Sequence, residues 1–143
     1  MSNPRDQKVK QAVLRIRPAV CLICGYDMRR PDGSTLLEGA HIRDFSEGGQ
    51  YDIPENMVLL CPNHHTEYDS DLIDFTPDGM IHHYYRDNEY DGAMVQYDIS
   101  YLHRGYIVHH NRRSFLRKRI EDEKRWGGGW AFSTPSYYHI LFR

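Results

Sequence analysis

Cys21 and Cys24 stand three positions apart, and Cys61 and His64 repeat that interval further along the chain. These pairs use all three cysteines present. Three thiols cannot complete a disulfide framework, and a reducing compartment would not maintain one. Two short turns that each offer two N/S ligands form the pattern of a tetrahedral structural zinc site. Such a site constrains the fold strongly, because it closes everything between Gly25 and Leu60 into a loop and its ion contributes directly to folding. Buried cysteines without an ion are the simpler alternative, but they leave the repeated spacing unexplained. His65, next to His64, is the other candidate for the fourth ligand.

With 143 residues the chain has the length of a single domain, and few aliphatic residues are set against 11 tyrosines. A modest core, supported by aromatics and by metal, is the expectation. No run approaches the ~18 apolar residues of a membrane span, and Met1–Gln11 holds no apolar signal segment, so a cytoplasmic protein is expected, with no membrane partner. The near-neutral net charge conceals an asymmetry. Met1–Pro18 carries five basic residues against Asp6, and Arg104–Arg125 carries eight against three acids. Between Pro31 and Ser100, fifteen Asp/Glu face only Arg43 and Arg86. Basic ends around an acidic middle suit a nucleic-acid binder whose centre holds cations, although solvated helix faces would give the same count.

The hydrophobic pattern predicts an amphipathic helix over Pro4–Pro18, with Val9, Ala12, Val13 and Ile16 on one face. Ala19–Gly25 reads as a knuckle and Asp27–Ser34 as a loop. A strand over Leu36–Ile42 carries His41 near its end. A glycine-containing loop, Arg43–Glu55, leads to a buried strand at Met57–Leu60. Pro62 suits a first helical turn, so a short helix should run from there to about Ser70. Leu72–Tyr85 reads as a hairpin turning at Thr76–Gly79, and His82-His83 and His109-His110 as surface or hairpin residues. Asp87–Tyr106 resists assignment. Arg112–Trp126 predicts a basic helix stopped by Gly127-Gly128-Gly129, and the aromatic tail Trp130–Arg143 suits an added strand. The chain is thus one domain, 1–143: an N-terminal helix (1–18), a core (19–75), and an extension (76–143) for substrate binding or dimerisation.

On the predicted short helix His65 and Asp69 are four apart and share a face. An imidazole and a carboxylate there can hold a divalent cation on a phosphate. His41 can take a proton from an attacking water, since imidazole titrates near pH ~6.5. Asn56 is placed to tie down the long loop or to orient His41.

Taken together, Ala40-His41-Ile42, Asn56–Leu60 and Cys61-Pro62-Asn63-His64-His65, preceded by Cys21 and Cys24, resemble the HNH endonuclease family, with Asp69 and Leu72-Ile73 extending the likeness. The resemblance covers about Val20–Phe75. It implies an α+β fold with a ββα-metal core and a zinc knuckle, flanked by the N-terminal helix, the C-terminal basic helix and the tail. It also implies metal-dependent hydrolysis of nucleic-acid phosphodiesters, usually DNA, with Mg²⁺, Mn²⁺ or a related ion at the active site and Zn²⁺ in the scaffold, in a phage or bacterial setting. By the same likeness His41 is the general base, Asn56 the motif asparagine and His65 the final, metal-binding histidine. Many members carry a metal-ligating Asp or His directly before the base, where this chain has Ala40. Glu38, on the same strand face as Ala40 and ~6.6 Å away, is the candidate replacement. Outside the core, Arg112, Arg113, Arg117, Lys118 and Arg119 are candidates for phosphate contacts, giving salt-sensitive binding to double-stranded DNA. A second copy of the chain is a candidate partner. A zinc-stabilised nucleic-acid-binding module without catalysis is the competing reading, and Ala40 is what favours it.

Overall fold

The computed structural model describes residues 4–126. The glycine run that should stop the last helix and the aromatic tail lie outside them.

Helix α1, Pro4–Ile16, buries Val13 completely, with Val9 and Leu14 packed at the margin. It lies against the antiparallel pair β1 (Glu38–His41) and β2 (Met57–Leu60). All four residues of β2 are buried, as a run of Met, Val and Leu with no polar alternation requires. In β1, Gly39 faces Leu59 and His41 faces Met57. A Cβ at Gly39 would come 2.6 Å from the Met57 sulfur, so the approach of the two strands depends on glycine there. The strand predicted over Leu36–Ile42 is thus confined to Glu38–His41, because the residues before it pair elsewhere: Thr35 bridges Arg29, and Leu36 N donates to Met28 O at 3.1 Å.

Between β1 and β2 the chain makes 3-10 turns at Phe45–Glu47, Gly49–Tyr51 and Pro54–Asn56. Helix α2, Pro62–Asp69, follows β2 directly, with proline in its first turn and Cys61 as its N-cap. The expected strand–loop–strand–helix order is therefore the core of an α+β fold.

A second pair, β3 (Ile73–Phe75) and β4 (Ile81–His83), forms the expected hairpin. His82 and His83 do belong to it, but they are 2% and 4% exposed rather than on the surface. His83 Nε2 reaches Glu67 on α2 at 3.0 Å, which joins the hairpin to the core. The segment after β4 is turn-rich, with one isolated bridge, Met80 to Met94.

The basic segment is two helices, not one. Helix α3 spans Arg104–Arg113 and α4 spans Phe115–Trp126, separated by extended Ser114 (φ −69°, ψ 144°). The Ser114 hydroxyl accepts from the Leu116 amide at 3.0 Å, starting the second helix as a serine cap does. Buried Asn111 donates to Phe75 O at 3.0 Å and holds α3 on β3. His109 and His110, expected at the surface or in a hairpin, therefore sit on a helix against the core. On α4, Leu116 and Ile120 form a small separate cluster with Tyr84. None of the described helices is long and apolar enough to cross a membrane.

Candidate functional site

The knuckle and the N-terminus of α2 bring Cys21, Cys24, Cys61 and His64 together, with ligand atoms all within 4.8 Å of one another. Among the described residues this is the one set of three or more Cys, His, Asp and Glu so arranged. The knuckle closes through Gly25 N to Cys21 O at 2.9 Å, which puts Gly25 at φ +77°, a conformation that favours glycine. Cys61 caps α2, so its thiol already faces inward and lies 3.3 Å from His64 Nδ1. Cys21 lies 3.7 Å from the same nitrogen. Burial works against charge on Cys21, but hydrogen bonds from His64 and from backbone amides outweigh it and bring its pKa down to about 6. Burial and the neighbouring Cys21 push Cys24 up to about 12. One thiol poised to ionise beside an imidazole, with two more held close, is the donor set a tetrahedral thiophilic ion requires. His64, not His65, completes it.

His65 faces elsewhere. One turn of α2 separates it from Asp69, whose Oδ2 lies 3.3 Å from His65 Nε2. On its other side Nδ1 is 2.7 Å from Glu38 Oε1 on β1. A carboxylate on Nδ1 fixes the ring and directs Nε2 away from it, the usual support of a metal-binding histidine. Ala40 is fully buried. Its side chain lies in the core, on the strand face opposite to that of Gly39 and His41.

His65 and Asp69 line a cleft of about 540 Å³ together with Gly39, His41, Asp71 and His110; Glu38 does not line it. His41 projects from β1, and its Nε2 is 2.9 Å from Asp52 Oδ1. A carboxylate can only accept, so Nε2 carries the proton and the lone pair of the neutral imidazole is on Nδ1. The Asp52 side chain is 5% exposed, which makes this a shielded and directional contact.

Asn56 is 0% exposed and lies outside the cleft lining. Its Oδ1 accepts from Arg43 N at 2.8 Å, and its Nδ2 donates to Arg43 O at 2.9 Å and Tyr51 O at 2.7 Å. The side chain thus staples the loop that carries Asp52 back to the end of β1.

The far wall of the site comes from α3. His110 stacks on Tyr68 with ring centroids 4.4 Å apart, and its Nε2 meets Asp74 Oδ1 at 2.8 Å while Nδ1 faces Ile42 O at 3.2 Å. Both ring nitrogens face acceptors, the arrangement of an imidazolium. Burial opposes that charge, but the Asp74 carboxylate prevails and raises the pKa, while burial also raises the pKa of Asp74 against the pull of His110.

The candidate phosphate contacts do not share one surface. Arg112, Arg113, Arg117 and Lys118 line a groove along the α3–α4 junction, which Arg113 and Asp71 connect to the cleft. Arg119 turns inward: it lies 5.0 Å over the Tyr84 ring and 3.4 Å from Glu123. Asp52, Asp74 and His110 carried no local signal in the sequence, because each joins the site through a contact between distant segments.

Comparison with known proteins matches residues 21–76 to the family model described as HNH endonuclease. The chain is 38% identical over 65 residues to the type IV methyl-directed restriction enzyme EcoKMcrA of Escherichia coli (strain K12), covering 44% of this chain and 23% of that protein. It is 32% identical over 62 residues to anaredoxin of Nostoc sp. (strain PCC 7120 / SAG 25.82 / UTEX 2576), covering 43% of this chain and 72% of that one. Among solved structures, the modification dependent TagI restriction endonuclease has the same fold over 80% of this chain and 38% of its own, with a TM-score of 0.57 at 24% identity. The chain therefore spans less than a quarter of the EcoKMcrA relative and well under half of the TagI chain.

Proposed function

We propose, from the premise that the chain belongs to the HNH endonuclease family, that it is a metal-dependent nuclease hydrolysing DNA phosphodiester bonds. The observation that carries this is the meeting in one cleft of His41, held by Asp52, and His65, held by Glu38 and Asp69. His41 acts as the general base: Asp52 holds the Nε2 proton, orients the ring and stabilises the imidazolium formed when Nδ1 takes a proton from water. His65 Nε2 and Asp69 would hold a divalent ion such as Mg²⁺ or Mn²⁺. When bound, that ion supplies charge stabilisation at the phosphate and the leaving oxygen. Glu38 serves as the orienting partner of His65 rather than as a ligand. Asn56 serves as the staple that sets the loop, and so Asp52, against His41. Zn²⁺ in the Cys21, Cys24, Cys61 and His64 site keeps α2 and the knuckle in register. Arg112, Arg113, Arg117 and Lys118 offer the phosphate contacts outside the cleft. One such cleft serves one strand, so cutting both strands of a duplex would call on a second copy of the chain.

The alternative, a binding module without catalysis, drew its support from Ala40. Since that side chain lies in the core and the cleft carries its own imidazoles and carboxylates, the nuclease is the better reading. Supercoiled plasmid with Mg²⁺ or Mn²⁺ tests it. The zinc-loaded protein should nick or linearise the plasmid, and His41→Ala should lower the rate by roughly 10²- to 10⁴-fold, the usual worth of a general base. Zinc content and circular dichroism should be unchanged in the variant. Absence of cleavage by the parent chain under every divalent ion, or unimpaired cleavage by His41→Ala, defeats the proposal.

A further inference from the structure

Two arginines and a histidine in the lining of the cleft converge on a single carboxylate. Glu47 Oε2 accepts from Arg43 Nε at 2.9 Å, and Oε1 is bonded by Arg113 and lies 3.2 Å from His109 Nε2. The donors come from both sides of the domain. Arg43 follows β1, while His109 and Arg113 stand one turn apart on α3. All four residues line the same cleft as His41 and His65.

The arrangement is built rather than incidental. Arg43 is held at its backbone by both ends of the Asn56 amide. Its guanidinium lies 4.4 Å over the Tyr51 ring, which packs edge-on against Tyr106 at 5.4 Å. Such stacking fixes the planar fork in one orientation before anything binds. Two permanent cations and an imidazole surround one negative charge, so the cluster is over-supplied with donors. The Arg113 arm is open to water, its side chain 64% exposed, and an ion pair of that kind contributes little to stability, so folding alone does not account for it. A phosphodiester carries the same single charge as a carboxylate and, like it, offers two oxygens to a guanidinium fork.

We propose that Arg43, His109 and Arg113 form a seat for a backbone phosphate of the nucleic-acid strand beside His41, and that Glu47 occupies it as an internal stand-in which the strand displaces. The seat deepens the nuclease reading and rests on it for the identity of the strand. Arg113 also lines the groove of Arg112, Arg117 and Lys118, so the seat is the cleft end of a basic track that continues onto α4.

The test is binding of zinc-loaded protein to a short fluorescent DNA duplex, measured by anisotropy across a salt series without Mg²⁺ or Mn²⁺. Loss of one phosphate contact should reduce the slope of log K against log salt by about 0.9. Arg113→Ala and Arg43→Lys should each weaken binding several-fold. Arg113→Ala should show the full slope change, and Arg43→Lys, which keeps the charge but loses the fork, a smaller one. Arg113 is exposed, so its truncation leaves the fold intact and decides the matter if Arg43→Lys proves unstable. Glu47→Gln should tighten binding by about threefold, because a competing charge is removed. A merely structural Glu47 would give the opposite sign. Arg15→Ala, on the exposed face of α1, should leave slope and affinity as they were. An unchanged slope in Arg113→Ala, weaker binding by Glu47→Gln, or no binding of the duplex by the parent protein overturns the seat. Cleavage is scored separately on plasmid: a protein that binds with the expected slopes but never nicks would overturn the nuclease and leave the seat standing.

Discussion

Replacing Asn56 tests the claim that one buried amide organises the loop between β1 and β2. The side chain makes three hydrogen bonds to backbone groups and is wholly buried. At a net ~1 kcal/mol each, their loss costs about 3 kcal/mol, and the cavity and partly desolvated carbonyls left by Asn56→Ala carry the total to about 3–5 kcal/mol. A domain of this kind is stable by only about 5–15 kcal/mol, so the variant should fold marginally. In urea, with a slope of about 2 kcal/mol/M, the midpoint should fall by roughly 2 M, read by far-ultraviolet circular dichroism at a fixed excess of zinc. Asn56→Asp separates hydrogen bonding from volume. It keeps an acceptor for Arg43 N but sets an oxygen against Arg43 O and Tyr51 O, so it should lose nearly as much. Limited proteolysis supplies the local readout, since the segment between Arg43 and Asn56 should become the first site of cleavage in both variants. A midpoint shift below about 0.5 M in both variants refutes the stapling role.

Other consequences of the structure are as direct. Cys61→Ser, or a chelator strong enough to strip the knuckle, should unfold the chain as followed by circular dichroism; a metal-free sample that stays folded would contradict a structural ion at Cys21, Cys24, Cys61 and His64. Gly39→Ala, which sets a methyl against the Met57 sulfur, should cost about 1–3 kcal/mol, whereas Gly33→Ala, where no neighbour lies within 4 Å, should reveal only its backbone strain at φ +89°. His110, whose folded pKa is raised by Asp74 above the ~6.5 of an unfolded histidine, gives stability that is complete below that value and is lost as pH climbs through the folded pKa. The stability gap between the parent chain and His110→Gln should therefore narrow as pH rises above about 6.5, and a gap that stays level or widens would refute the imidazolium.

What was legible in the sequence was what local spacing dictates. The knuckle, β2, α2 and the hairpin each follow from residues within a few positions of one another, and the four-ligand set follows from two three-residue intervals. The α3–α4 break was hidden because Ser114 is an ordinary helix residue by pattern, and only its use as a cap turns the chain. The burial of His83 and His110 was hidden for a related reason. A histidine beside tyrosines reads as surface until a distant carboxylate, Glu67 or Asp74, is brought to it. The burial of Ala40 follows from strand alternation: the register that exposes His41 to the cleft turns the preceding side chain into the core.

That register also bears on how much of the chain the site needs. The family match ends at residue 76, yet the cleft is lined by His109, His110 and Arg113 of α3 as well as by β1 and α2. His110 bonds Ile42 O, one residue beyond His41, and at the same time bonds buried Asp74. Removing α3 would strip Asp74 of its His110 partner and uncover the part of β3 on which Asn111 holds the helix. It would also release the backbone that follows His41. The segment after the hairpin is therefore a wall of the cleft, and a chain cut after the matched core should lose the geometry around His41 even with its zinc ligands intact.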